Sequence, residues 1–215
     1  MTTRYKVDKP KIPSNLVEAN FQDVFYHEDP ELSRCEVSNT FVTDEEINHF
    51  VLQGVMFKKV QVFSSSFHQI DMTDVVFEGC DLSNTKFPKG NLHRVRFKDC
   101  KLIGLDLLDA RLRHVTFENC ILNMSNFVDA DLKHVKFEDS CLHSANFFEC
   151  SLEKVDLHKC DINDTDFSTT KLKGVDISSC IFENINVSPN NLQGCTVSPQ
   201  QAIMFASLLG LIVKE

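Results

Sequence analysis

Residues 110–137 read ARLRHVTFENCILNMSNFVDADLKHVKF, and their apolar positions decide the fold. Leu112, Phe117, Leu122, Phe127, Leu132 and Phe137 fall at every fifth residue. Two places before each stands a smaller side chain: Ala110, Val115, Cys120, Ser125, Ala130 and Val135. The other three positions of each unit are mostly polar. A helix repeats its face every ~3.6 residues and a strand every ~2 residues, so neither keeps a five-residue rule in phase. A solenoid does, because each short unit turns a corner and then stacks on an equivalent unit one coil away.

Outward from that stretch the rule runs in both directions. Every fifth residue from Leu52 to Val197 is Leu, Phe, Val, Met or Ile, giving 30 units without an insertion. Units such as Ala130-Asp131-Leu132-Lys133-His134, Ala145-Asn146-Phe147 and Ser125-Asn126-Phe127 resemble the A(D/N)LXX motif of the pentapeptide-repeat family. The resemblance covers roughly residues 16 to 197 and implies an all-β fold, a right-handed quadrilateral parallel β-helix with four pentapeptides per coil. Residues 20 apart should then share an environment, and they do. One column reads Phe57, Phe77, Phe97, Phe117, Phe137, with Val55, Val75, Val95, Val115, Val135 as its small partner. The next face carries Leu82, Leu102, Leu122, Leu142 beside Cys80, Cys100, Cys120, Ser140, Cys160, Cys180. Stacked at ~4.8 Å per coil, the regular repeat spans about 36 Å.

The chain therefore divides into an N-terminal arm with irregular first coils (1–50), regular coils (51–197) and a C-terminal capping and dimerisation helix with its tail (198–215). Ala19-Asn20-Phe21 and Val24-Phe25-Tyr26 stand one residue out of frame with Cys35-Glu36-Val37 and Thr40-Phe41-Val42, which predicts one inserted residue within 27–31. Glu45 falls in an inward small-residue slot, and a lone carboxylate is costly to bury. Asp44, Glu45 and Glu46 are accordingly expected to form a projecting loop or a deformed coil. Ser198 reads as a helix N-cap, with Pro199 in the first turn, Gln201 closing a capping box and Gly210 stopping a helix that runs to about Leu209. Its side chains are apolar nearly all round, so one coil end cannot bury both sides.

With 42% hydrophobic and 25% charged residues, the 215-residue chain has the composition of a folded domain. No apolar run approaches ~18 residues, and MTTRYKVDKPKIPS has no apolar core, so neither a membrane span nor a secretory signal is expected and the location read is cytoplasmic. A net charge of −9 argues against direct binding of nucleic acid or anionic membrane, since both require local positive charge. The nine cysteines are odd in number and contain no CxxC pair, so neither a disulfide framework nor a zinc ribbon is supported. Most fill the inward small slot beside Leu, where a thiol behaves as a small hydrophobe. Cys141, Cys150 and Cys195 lie off that column, Cys141 in an outward slot.

His93, His114 and His134 share a face with Arg94, Arg111, Arg113, Lys133, Lys154, Lys171 and Lys173, a composition that reads as a solvated basic face rather than a metal site. No phosphate-cradling loop, GxSxG or HExxH occurs, so no catalytic residue, cofactor or metal is assigned and the protein is not read as an enzyme. Two adjacent faces hold nine acidic residues against three basic ones within 51–197, a net −6. On them Asp106, Asp109, Asp129, Glu149, Asp166, Leu108 and Phe148 are the candidate partner-binding residues, with Ile103, Ile121, Met124 and Val128 beside them. An apolar patch ringed by carboxylates reads as a contact surface.

The Ser198-Pro199-Gln200-Gln201-Ala202 start and the Leu208-Leu209-Gly210-Leu211-Ile212 end of the last element resemble the Qnr-type quinolone-resistance group. That resemblance implies a homodimer through the C-terminus, for which Ile203, Phe205, Leu208 and Leu209 are the candidate interface. It also implies DNA gyrase or topoisomerase IV as partner, engaged by mimicry of duplex DNA and protected from fluoroquinolones. The alternative is an interaction scaffold for another partner that uses the acidic, partly apolar face.

Overall fold

The computed structural model describes residues 5–26 and 28–214. The five-residue rule becomes a parallel β-solenoid of about seven turns with one C-terminal helix. Two adjacent faces are formed by the strands Val51–Lys58, Asp71–Glu78, Asn91–Lys98, Arg111–Glu118, Asp131–Glu138 and Ser151–His158. They pair in parallel with a register of 20 residues, so that Val75, Val95, Val115 and Val135 stack in one column. Each strand bends at a left-handed residue: Gly54, Asp74, Arg94, His114, His134 or Lys154.

The other two faces are short strands in the first coils and, from Asp81 on, turns joined by single bridges. In most of these turns an N–H reaches back three residues, as Ala110 N–H donates to the Leu107 carbonyl at 3.1 Å and Ala130 N–H to that of Phe127 at 2.9 Å. The third turn position is left-handed, at Asp109 with φ 54° and Asp129 with φ 58°. Such backbone costs ~1–2 kcal/mol for most residues and less for Asn, Asp or Gly. Stacking offsets it, because the Asp109 N–H thereby meets the Val128 carbonyl of the next coil at 2.9 Å.

The interior is one continuous apolar core. Phe77, Phe97, Phe117 and Phe137 stack nearly parallel with centroids 4.9–5.0 Å apart. Phe127 meets Phe117 and Phe137 edge-on at 6.3 and 5.9 Å, tying that stack to the second one, Phe127–Phe147–Phe167. The thiols of Cys80, Cys100, Cys120 and Cys180 each donate to a carbonyl 23 residues earlier, and Ser140 does the same in the one coil that replaces sulfur by oxygen. The slot therefore favours a small side chain with a donor rather than small size alone.

Three expectations need correction. Phe21–Tyr26 is a 3-10 helix and not a coil displaced by one insertion. Val17 pairs with Cys35, an offset of 18 residues, so the first turn is short by two. His27, within the segment expected to hold the insertion, lies outside the described residues. The physical reason is the end of the stack: with no coil beneath it, this segment closes its own turn (Asp23 N–H to the Asn20 carbonyl, 3.2 Å) and lays Phe21 over Phe50, Phe57 and Phe67.

Asp44, Glu45 and Glu46 do not form a projecting loop. Phe41–Thr43 and Glu46–Asn48 are strands in 20-residue register with Gln61–Phe63 and Ser66–His68. Glu45 is half-buried at the rim, its N–H held by Ser65 Oγ at 3.2 Å and its carbonyl by Ser66 N–H at 2.8 Å. Having a neighbouring coil on one side only, the inward slot there can hold a carboxylate without isolating it from solvent. The histidine face, finally, is not simply solvated. Residues 5–13 run along its corner, from Lys6 at His134 through Asp8 at His114 and Lys11 at Asp74 to Pro13 beside Gly54.

At the C-terminus the helix Pro199–Ala206 carries the full capping box, with Gln201 N–H donating to Ser198 Oγ (3.2 Å) and Ser198 N–H to Gln201 Oε1 (2.8 Å). It gives way to a 3-10 turn, Ser207–Leu209, before Gly210 at φ 71°. Gln201 is buried and its amide donates to the Ile177 and Cys180 carbonyls (2.9 and 3.0 Å), so one side chain both caps the helix and ties it to the last coils.

Phe117→Ala is expected to lower unfolding stability by ~3–5 kcal/mol in urea titration, because it empties a fully buried stack position. Gln201→Ala should cost about 2 kcal/mol, since it removes the box and strands the Cys180 carbonyl, while that of Ile177 keeps the Cys180 N–H. Proteolysis should then release the C-terminal helix before the coils yield.

Candidate partner-binding faces

The seven acidic and apolar candidates come together on one turn-built face. Single bridges set Asp106, Asn126, Asn146 and Asp166 in one column. Each oxygen of that column accepts the N–H two residues on: Leu108 from Asp106 (3.0 Å), Val128 from Asn126 (3.1 Å), Phe148 from Asn146 (2.9 Å) and Ser168 from Asp166 (2.8 Å). An Asp or Asn recurs there because its short side chain closes an Asx turn. Asp106 and Asp166 are half-buried and engaged in this way, Asp106 also accepting from Asn126 Nδ2 at 2.8 Å. They are turn builders first and partner groups second.

Asp109, Asp129 and Glu149 stand differently. They form the exposed left-handed corner of the same face, one above another. Leu108 and Phe148 are exposed beside them, with half-buried Val128 between. The corner thus presents a row of three carboxylates next to a row of three apolar side chains, both at coil spacing.

On the neighbouring face Ile121 and Met124 are exposed, and so is Ile181, which the sequence reading passed over. Its signal was available: it occupies the outward slot of Ile121 three coils on. Asp81 there is paired with Lys101 at 3.3 Å, and Asp161 holds the Asn163 N–H at 3.0 Å with the Cys141 thiol 3.8 Å away. His143 Nε2 lies 3.7 Å from Asp164. Among the described residues no cluster of His, Cys, Asp and Glu has a geometry that holds a metal. Burial pushes the Cys150 thiol up to about 12, which keeps it protonated and unreactive at neutral pH.

At the C-terminal end Ile203, Leu208 and Leu209 are exposed, as are Leu211 and Ile212. Phe205 is the exception among the interface candidates: it is half-buried and packs on Phe182, with centroids 5.8 Å apart. Between the helix and the last coil lies an open groove of about 610 Å³ lined by Leu192, Val197, Ala202, Leu209 and Leu211 among others.

Residues 70–147 match the sequence model of the pentapeptide repeat region, and residues 150–188 match that of eight-copy pentapeptide repeats. The chain belongs to the pentapeptide-repeat family. No curated relative matches its sequence. Among solved structures, full-length QnrB1, described as a plasmid-mediated fluoroquinolone resistance protein, is 15% identical, with a TM-score of 0.49 over 82% of this chain and 100% of that one. A trypsin-treated QnrB1 variant is 17% identical, with a TM-score of 0.42 over 84% and 92%. A pentapeptide-repeat protein of the Arabidopsis thaliana thylakoid lumen is 23% identical, with a TM-score of 0.42 over 44% and 66%. No helix among the described residues is long and apolar enough to cross a membrane.

Within the repeat, Met124 combines a left-handed backbone, φ 57°, with a residue exposure of 62%. Asn84 holds the equivalent position two coils earlier. Met124→Asn is therefore expected to raise stability by ~0.5–1 kcal/mol in chemical denaturation. If Met124 belongs to a contact surface, partner affinity should fall while stability rises.

Proposed function

We propose that this protein is a non-enzymatic binding solenoid whose acidic, partly apolar faces engage DNA gyrase or topoisomerase IV in the place of duplex DNA and protect the enzyme from fluoroquinolones. It acts in the cytoplasm as a homodimer joined at its C-terminal helices and has no direct nucleic-acid target. The observation that carries this reading is the corner of Asp109, Asp129 and Glu149, three exposed carboxylates in register beside Leu108 and Phe148. The sequence resemblance to the Qnr-type group supplies the identity of the partner. The exposed Ile203, Leu208 and Leu209 beside the C-terminal groove supply a surface for the second copy.

The mimicry works through shape and chosen carboxylates rather than charge density. Duplex DNA would carry about 21 charges over the ~36 Å repeat, against a net −6 on the two faces. Residues 43–49 lie within the coils, so protection here does not use a loop at that place. The apolar row favours a second reading, a scaffold for a different protein, in which Leu108, Val128 and Phe148 supply the affinity and the carboxylates the specificity.

The test is a gyrase supercoiling assay with and without a fluoroquinolone, using the intact protein, a triple variant with Asp109, Asp129 and Glu149 changed to Lys, and a chain ending at Val197. Intact protein is expected to restore or inhibit supercoiling, the triple variant to lose the effect at least tenfold, and the shortened chain to lose it in step with its dimer. Absence of any effect on both topoisomerases from a matched source would leave the scaffold reading. Binding that persists in the triple variant but falls with Leu108→Ser would favour the scaffold too.

A further inference from the structure

We propose that residues 5–13 are an acid-released strap, held along one corner of the solenoid by a contact that requires His114 in its neutral form. The strap lies over the column of left-handed corner residues; Val7, Pro10, Ile12 and Pro13 are half-buried there, with Pro13 beside Gly54. Three hydrogen bonds fix it. The Lys11 N–H donates to Asp74 Oδ1 at 2.8 Å, the Asp8 N–H to His114 Nδ1 at 3.1 Å, and His134 Nδ1 donates to the Lys6 carbonyl at 3.1 Å.

These three respond differently to a proton. Asp74 is gripped by both arms of Arg94 (2.6 and 2.7 Å), and that hydrogen bonding holds its carboxyl below the usual range, so the Lys11 contact survives mild acid. His134 donates in its contact, and a protonated ring donates equally well. His114 must accept, which only an unprotonated Nδ1 can do. Protonation removes that acceptor and turns it toward a donor.

The surroundings of His114 oppose its charge further. On the next coil the His134 ring is stacked on it at 4.7 Å and 18°, and on the preceding coil His93 stands edge-on at 6.0 Å, itself against the Arg94 guanidinium. From the strap, Asp8 is the opposing group, its carboxylate 3.9 Å from Nδ1 but shared with Lys6 at 3.6 Å. Among the other cations of this face, Arg113 pairs with Asp131, and Lys133 and Lys154 pair with Glu153. Burial holds both His93 and His114 below the ordinary histidine value. Because Nδ1 can accept the Asp8 N–H only while it carries no proton, protonation and this contact exclude each other, so falling pH favours release. Release carries Lys6, Lys9 and Lys11 away and bares the histidine column, changing the charge and shape of this face without touching the acidic ones.

Amide NMR on the full-length protein between pH 7.5 and 5.0 tests this. The backbone signals of residues 6–13 are expected to be ordered at pH 7.5 and to lose that order with a midpoint matching titration of the His114 ring, while coil signals away from the histidine column stay unchanged. His114→Gln offers a carbonyl acceptor that does not titrate, and its strap should stay ordered to pH 5.0. A wild-type strap still ordered at pH 5.0 would overturn the proposal, as would release whose midpoint does not follow His114 or is unchanged in the variant. Should the variant's strap be loose throughout, coincidence of the two wild-type midpoints decides.

Discussion

Every coil of this molecule depends on the backbone hydrogen bonds it exchanges with the coils before and after it. Phe87 N–H donates forward to the Asp106 carbonyl at 2.7 Å, and Asp106 N–H donates back to Thr85 at 3.0 Å. A single coil has no such partner within itself, so no pentapeptide is stable alone. The stacking fixes side-chain pitch as well. Phe on Phe and Val on Val recur because each layer must fill the same cross-section at ~4.8 Å spacing, and a layer of different size would open a void or strain its neighbours.

That constraint explains the ends. The first coil and the last present unpaired backbone and open core, and the chain covers each with a helix. Phe21 of the 3-10 helix lies over a phenylalanine cluster at one end. Gln201 fastens the C-terminal helix to carbonyls at the other. It also explains why surface chemistry is arranged in columns. An outward residue meets its counterparts one coil away, so like charges at corners, such as Asp109, Asp129 and Glu149, are held close together at a cost that a binding partner of opposite charge would offset.

The same columns separate structural carboxylates from available ones. Asp106 and Asp166 close their own turns, whereas the corner residues engage only their backbone in stacking. Sequence alone treats all of them as acidic positions on one face. The distinction needs the turn geometry, in which the second and fifth residues of a pentapeptide have different hydrogen-bonding duties.

The apolar period made the solenoid, its 20-residue register and the inward cysteine column legible in the sequence, and the local Ser198–Gln201 capping pattern did the same for the C-terminal helix. Charge and apolarity likewise named the residues of the candidate face. Tertiary structure decided what happens where the repeat stops. The 18-residue first turn, the 3-10 lid, the inclusion of Asp44, Glu45 and Glu46 in a coil, and the inward turn of Phe205 all depend on what neighbours an end position has. The strap was beyond the sequence for the same reason: Lys6 and His134 are 128 residues apart, and no period relates them. Only the stacked column of corner residues brings them together.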